Sequence, residues 1–595
     1  MNGTNPSIAK IDNLGGYVIV WQGDDLDGDY SIVTQKMNPD GTRDGNTTIL
    51  EAINKFNKDD LEPQVTGLAY DGSYAVTWYG EDSDGGGEFS VFVQKFSSDG
   101  SLDGATTILE APSSTTKDDK FPTILAPKTD GSFIVAFTGQ EDGSEGGDWS
   151  VFIQRFAADG TLDGNATRLE PTGITDKDDG EVQLASIGSD GSYVAVWSGK
   201  DSTNDLTIYS QKFHADGSLD GNVTELVSDV IQKQDIMPVV TGLGTSGAYS
   251  VAWSGQDLDG GDYSIFTQKF AADGSFDGPV VHLEAINVLN KVDTTPSITA
   301  LGVDGAYAVA WTGEDEGGDN SVYTQIFNSN GTLNGSVSIH EAIGTTDQHD
   351  TKPDISSIGP DGKMLLAWFG ERGTQDYIYT QMFDANGTLS GGATELDKGV
   401  VVKIAELNNE EYALAVDRVI NAGKNEVYTQ KINSDSTVVF GSLIYGDVAI
   451  EVVIDAAATY YEATYTGGDL YMSDGTTYIS SPGEVLAGDA DASILKVLDS
   501  SQVEVSVTKT IPTYVTSSIL PIEISVAELL ANDTDADGDT LTITNTLLSV
   551  NGTVSLPIDG IITFIPSALG LGGFGYVVDD GNGGTALGAV FITIE

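Results

Sequence analysis

Around Gly72 the chain alternates short apolar runs with turn residues: Gln64–Leu68, Tyr74–Trp78, Ser90–Phe96 and Thr106–Glu110. The runs YAVTW and SVFVQKF carry the β-branched and aromatic enrichment of strands. Asp71-Gly72 separates the first two runs, and Ser98-Asp99-Gly100 with Asp103-Gly104 separates the last two. Gly and Asp tolerate positive φ, so both stretches read as hairpin turns. The pattern predicts four antiparallel strands joined in series.

This pattern recurs eight times, marked by a glutamine in the third run: Gln35, Gln94, Gln154, Gln211, Gln268, Gln325, Gln381 and Gln430. The steps are 59, 60, 57, 57, 57, 56 and 49 residues. A near-constant period of this size means repeated supersecondary units. Four strands per unit suit a β-propeller blade; a β-helix coil is far shorter, and an immunoglobulin-like sandwich runs to ~100 residues. An aromatic precedes seven of the glutamines: Trp21, Trp78, Phe137, Trp197, Trp253, Trp311 and Trp368. The eighth copy has Val416 there and lacks the Asp-Gly hairpin. The direct count is eight blades, with seven blades plus a stray unit left open.

Most copies place a proline just before the first strand: Pro6, Pro63, Pro122, Pro238, Pro296 and Pro353. Proline is tolerated at a strand's first residue, so these predict where each first strand begins. The glutamines read as structural, their amides satisfying backbone groups of a neighbouring blade. The Trp and Phe positions read as core between blades rather than as a sugar-stacking platform.

Charge changes the picture. Lys and Arg number 27 against 90 Asp and Glu, a net charge of −63. Such a surface repels nucleic acid and anionic membranes and attracts cations. At 39% hydrophobic and 8% aromatic, the chain still carries enough apolar surface for a core. With no cysteine, disulfides and thiolate metal sites are excluded, which fits a secreted bacterial surface protein. The start lacks the apolar stretch of a signal peptide, and no run approaches the ~20 apolar residues of a membrane helix. The expectation is export by a signal outside this chain, or a chain that is part of a longer one.

The loop after each second run is the candidate for chemistry. It holds Asp25, Asp27 and Asp29 in copy one, Asp82, Asp84 and Glu88 in copy two, and Asp257, Asp259 and Asp262 in copy five. Copy three has Glu141, Asp142 and Asp148, and copy six has Glu314, Asp315 and Asp319. Carboxylates spaced this way, with glycines between, can wrap several hard oxygens around one Ca²⁺; the alternative is a solvated acidic loop. The series fades to Asp201 and Asp205 in copy four and to Glu371 and Asp376 in copy seven. Catalysis finds little support: His214, His282, His340 and His349 form no metal or triad spacing. Acidic pairs are everywhere, which leaves a glycosidase pair open.

In copy five the order is Ala248–Trp253, then Gln256-Asp257-Leu258-Asp259-Gly260-Gly261-Asp262, then Phe266–Phe270 and Ala271-Ala272-Asp273-Gly274. This resembles repeats of type I-secreted, calcium-dependent adhesins and related giant bacterial surface proteins. The resemblance implies an extracellular, calcium-loaded, non-catalytic module. Residues 446–505 lose the repeat, and their Tyr, Gly-Gly and Asp-Gly content predicts a small β-rich connector. From about Ser506 the signature is LLANDTDADGDTLT, then NGTV, then DGNGGTA. It resembles the cadherin-like tandem domains of large bacterial surface proteins, and that resemblance implies calcium at Asp533, Asp535, Asp537, Asp539 and Asp580.

The expected architecture is all-β: a propeller of about eight four-stranded blades over 1–445, a connector over 446–505, and an Ig/cadherin-like β-sandwich over 506–595. The leading expectation for function is a non-catalytic, Ca²⁺-binding protein of the cell surface. It would serve adhesion or a surface-layer or filament role, with a cell-surface glycan or other subunits as partners, self-assembly included. The alternatives are a lectin-like propeller with pockets repeated between blades, and a polysaccharide-active propeller enzyme. One non-repeated carboxylate pair at the axial channel would favour the enzyme.

Overall fold

The computed structural model describes the strands and tight turns of residues 3–444 and most strands of 451–594. The loops 25–28, 82–87, 142–147, 257–261, 531–539 and 580–584 are among those outside the described residues. Contacts divide the chain into two compact units, Met1–Gly446 and Asp447–Glu595.

The first unit is eight antiparallel four-stranded sheets, each in sequence order. In blade two the strands are Asp60–Gly67, Tyr74–Glu81, Phe89–Phe96 and Thr107–Leu109. First strands of successive blades pack on one another and so surround the axis. The second and third strands bury side chains on both faces, as in Tyr74–Glu81, because each sheet is sandwiched between neighbours. Each core is shared: Val18 and Val20 of blade one pack with Trp78 and Phe92 of blade two. The Trp positions are therefore inter-blade core, fully buried at Trp21, Trp78, Trp197, Trp253, Trp311 and Trp368.

The eighth copy completes the ring. It forms a full blade, Val401–Glu406, Glu411–Asn421, Lys424–Asn433 and Val438–Ile444. Its Ala413, Ala415 and Val427 cluster with Tyr17, Ile19 and Trp21 of blade one. Thr429 Oγ1 donates to Tyr17 Oη at 3.2 Å, and Lys431 Nζ donates to the Pro39 carbonyl at 2.5 Å. Val416 lies on the other face, packed with Leu365, Ala367 and Ile378 of blade seven, and Trp21 of blade one fills the closure against Ala413 and Ala415.

Two local expectations are corrected. The recurring proline lies inside the first strand, as Pro63 does within Asp60–Gly67, at a break in register between Leu61 and Gln64. A proline cannot donate to the ladder, and a bulge is where that loss is tolerated. The recurring glutamine serves its own blade, not the next. Gln94 Nε2 donates to the carbonyls of Lys95 at 2.7 Å and Gly104 at 3.4 Å, tying the third strand to its own hairpin.

In the second unit, short antiparallel pairings join Glu451–Val453, Tyr460–Thr464 and Val485–Asp489. The C-terminal part is a two-sheet sandwich. One sheet orders Thr513–Thr516, Thr585–Ile594, Gly570–Asp579 and Thr542–Val550; the other pairs Ile522–Ser525, Ile561–Pro566 and Gly552–Val554. Ile524, Ile562 and Phe564 meet Phe574, Tyr576 and Ile592 in its core.

Candidate functional site

Each blade from two to seven carries a buried aspartate at or just before the start of its first strand: Asp60, Asp119, Asp179, Asp235, Asp293 and Asp350. In blades two, four, six and seven the tryptophan of the second strand donates its indole N–H to this carboxylate, at 2.9 Å for Trp78–Asp60 and 2.8 Å for Trp368–Asp350. The residue two beyond that tryptophan is glycine, and a Cβ on Gly80 would stand 2.0 Å from Asp60 Oδ1. Burial is the main force raising these acids, pushing Asp179 and Asp293 to about 8 and Asp350 to about 7. They belong to the scaffold, since they repeat.

Two residues further, the chain does something costlier. Asn5, Glu62, Phe121, Glu181, Met237, Thr295 and Lys352 have φ between 50° and 55°, each at the register break of its first strand. A non-glycine residue there costs about 1–3 kcal/mol. Caps from the preceding blade hold several of them. The Glu62 N–H donates to Gln22 Oε1 at 3.0 Å, and the Lys352 N–H to Thr312 Oγ1 at 3.1 Å. The Asn5 N–H bonds Asp417, whose carboxyl burial pushes up to about 7. Gln22, Thr312 and Asp417 sit at one repeat position, beside the Trp or its Val substitute.

At blade three that cap is open. Thr138 occupies the same position, is 4% exposed, and its Oγ1 has no partner among the described residues. It faces a pocket of about 740 Å³ at the axial mouth, also lined by Glu62, Phe121, Asp179, Glu181 and Met237. Glu62 and Glu181 also border the channel along the axis, with Gln64, Gln183, Asp354 and Lys403. Burial raises the Glu62 carboxyl above the ordinary glutamate range. Glu181 is fixed by two donors to Oε2, the Met237 N–H at 2.8 Å and Ser198 Oγ at 3.1 Å. Phe121 is 49% exposed and edges onto Tyr79 at 5.6 Å. These residues went unnoticed in the sequence, although a signal exists. Asp60-Leu61-Glu62-Pro63 repeats as Asp-x-x-Pro, and only the residue before the proline, with its neighbour, changes character from copy to copy.

Of the residues expected to bind calcium, Asp29, Glu88 and Asp262 are described, each just before its blade's third strand. Asp25, Asp27, Asp82, Asp84, Asp257 and Asp259 lie outside the described residues, as do Asp533, Asp535, Asp537, Asp539 and Asp580. Among the described residues no group of three or more His, Asp or Glu is placed to hold a metal ion. Asp262 and Glu284 nevertheless lie near enough to Asp293 for both charges to add to the burial that raises its carboxyl. In blade three a cation is built in: Arg168 bridges Glu141 at 2.7 Å, Asp148 at 3.5 Å and Glu170 at 2.5 Å. Burial still pushes Glu170 up to about 7.

A family model described as a cadherin-like domain matches residues 503–595. No curated protein matches the chain. Among solved structures, an α-L-arabinanase of Penicillium chrysogenum complexed with arabinobiose is 14% identical, with a TM-score of 0.36 over 53% of this chain and 93% of that one. A GH43 endo-arabinanase of Bacillus licheniformis is 14% identical, with a TM-score of 0.25 over 43% of this chain and 96% of that one. A eukaryotic initiation factor is 9% identical, with a TM-score of 0.37 over 75% and 87%. Likeness at this level, spread over such different proteins, carries no argument about activity.

Proposed function

We propose that the propeller acts on a polysaccharide at its axial mouth, with Glu62 and Glu181 as the paired carboxylates. The observation that carries this is the pocket itself, which sets two glutamates of unlike environment beside exposed Phe121 and Met237. Glycoside hydrolysis uses such a pair. Glu62, held toward its protonated form by burial, gives its proton to the glycosidic oxygen as the C–O bond breaks. Glu181, fixed by Ser198 and Met237, supplies the second carboxylate, and water completes the cleavage. The non-catalytic adhesion reading has no comparable feature behind it.

The setting in this reading is extracellular, at a cell surface, where the cadherin-like segment is compatible with a multidomain protein and the partner is a glycan. Calcium is the cation proposed for the acidic loops, supported by their Asp spacing and by the arginine that neutralises the same cluster in blade three. It would be structural and would take no part in the cleavage step.

The test is release of reducing ends from a panel of polysaccharides. Glu62→Gln and Glu181→Gln should each lower the rate by about 100-fold or more with the thermal midpoint held. A wild-type chain that cleaves nothing in the panel, or variants as active as it is, overturns the reading.

A further inference from the structure

Around the axis the scaffold repeats from blade to blade while the strained residue does not. The aspartate two positions before it recurs in blades two to seven, and proline follows it in six of the seven blades that carry the strain. The strained position itself reads Glu62, Phe121, Glu181 and Met237 across blades two to five. Glycine adopts positive φ without steric cost, yet it occupies none of the seven positions. Blade eight pairs its first two strands in unbroken register, so the fold can close without the bulge. Strain of this kind persists where its surroundings over-determine it, and it collects at ligand clamps.

We infer that these left-handed residues are kept for their side chains and form the specificity-determining ring of the mouth, whose arc from Glu62 to Met237 selects an uncharged glycan over an anionic one. This rests on the polysaccharide reading above. Glu62, Asp178, Asp179 and Glu181 line the pocket, and among the described residues no lysine or arginine does. A uronate or sulfate would meet the Glu181 carboxylate and an Asp178 whose cation, Lys200, is already engaged at 2.5 Å, in a chain of net charge −63. A neutral sugar meets the opposite conditions: carboxylates and Thr138 Oγ1 to bond its hydroxyls, and half-exposed Phe121 and Met237 for its C–H face. Carboxylate hydrogen bonds to neutral hydroxyls are among the stronger ones.

The experiment compares wild type, Phe121→Gly and Met237→Gly in the full chain. It uses calorimetric titration against neutral polysaccharides (xylan, mannan, dextran) and anionic ones (polygalacturonate, alginate), with thermal midpoints measured alongside. The expected result is binding of a neutral polysaccharide, weakened about tenfold in each glycine variant, with midpoints unchanged or raised because the φ strain is gone. Unchanged affinity in both variants overturns the inference and leaves the polysaccharide reading standing. Tighter binding of an anionic polysaccharide does the same. Wild type that binds none of the five overturns both.

Discussion

Trp311 donates its indole N–H to Asp293 Oδ1 at 2.9 Å, and both side chains are buried between blades. The same carboxylate accepts the Ala285 N–H through Oδ2, so one acid ties the second strand of its own blade to the end of the blade before. Gly313 makes room, since a Cβ there would lie 2.1 Å from Asp293 Oδ1.

Removing this acid strands two buried donors. Asp293→Ala is expected to destabilise the propeller by about 2–4 kcal/mol, and Gly313→Ala by a comparable amount through the clash. Chemical denaturation checks both. If Asp293→Ala melts like wild type, the aspartate is not a tie between blades.

The buried acids also set a pH dependence. Asp179 and Asp293, pushed to about 8, and Asp350, pushed to about 7, hold protons in the fold that the unfolded chain releases near 3.8. Between those values the native state binds more protons, so stability falls as pH rises from about 4 to about 8. Turn aspartates work the other way. Asp99 and Asp273 are lowered chiefly by the hydroxyls of Ser101 and Ser275, and what they contribute is lost below about 4. In chelator, the thermal midpoint should therefore peak between about pH 4 and 6, and Asp293→Asn should flatten its alkaline limb. A midpoint that climbs from pH 5 to 8 contradicts the account.

Calcium would act on the same groups. A cation near Asp262 lowers the cost of ionising Asp293, whose carboxyl feels the charges of Asp262 and Glu284. At ten times its dissociation constant each ion adds about 1.4 kcal/mol. Millimolar Ca²⁺ should raise the thermal midpoint over chelator, more at pH 8 than at pH 5, with Mg²⁺ a poor substitute. Asp262→Asn should remove part of the gain. An unchanged midpoint would leave the loops as solvated acid.

What the sequence disclosed, and what it hid, follows from which features repeat. Strand periodicity, Asp-Gly hairpins and the spaced aromatics are local or periodic, and they specify a blade. Val416 leaves eight blades or seven plus a stray unit open in the sequence, and the packing of Ala413 and Ala415 on Trp21 closes the ring at eight. Pro63 at a bulge reads in sequence as a proline at a strand start, because the two differ only in register. The acidic loops drew attention by composition. Glu62 and Glu181, far apart in sequence and unremarkable in it, come together at one pocket through the closing of the ring.

The recurring glutamine gives the sharpest electrostatic test. Gln94 points its amide N–H groups at two carbonyls, those of Lys95 and Gly104, while its Oε1 accepts Thr106 Oγ1 at 2.8 Å. Gln94→Ala leaves those groups unpaired or wet and should cost about 1–2 kcal/mol. Gln94→Glu keeps the shape but turns a carboxylate oxygen toward the two carbonyls, so at pH 7 it should be worse than alanine. Near pH 4 the protonated carboxyl can donate again, and the glutamate variant should recover much of the loss relative to wild type. Melting the three proteins at both pH values decides it. If glutamate is tolerated at pH 7, the amide is not the donor that binds the third strand to its hairpin.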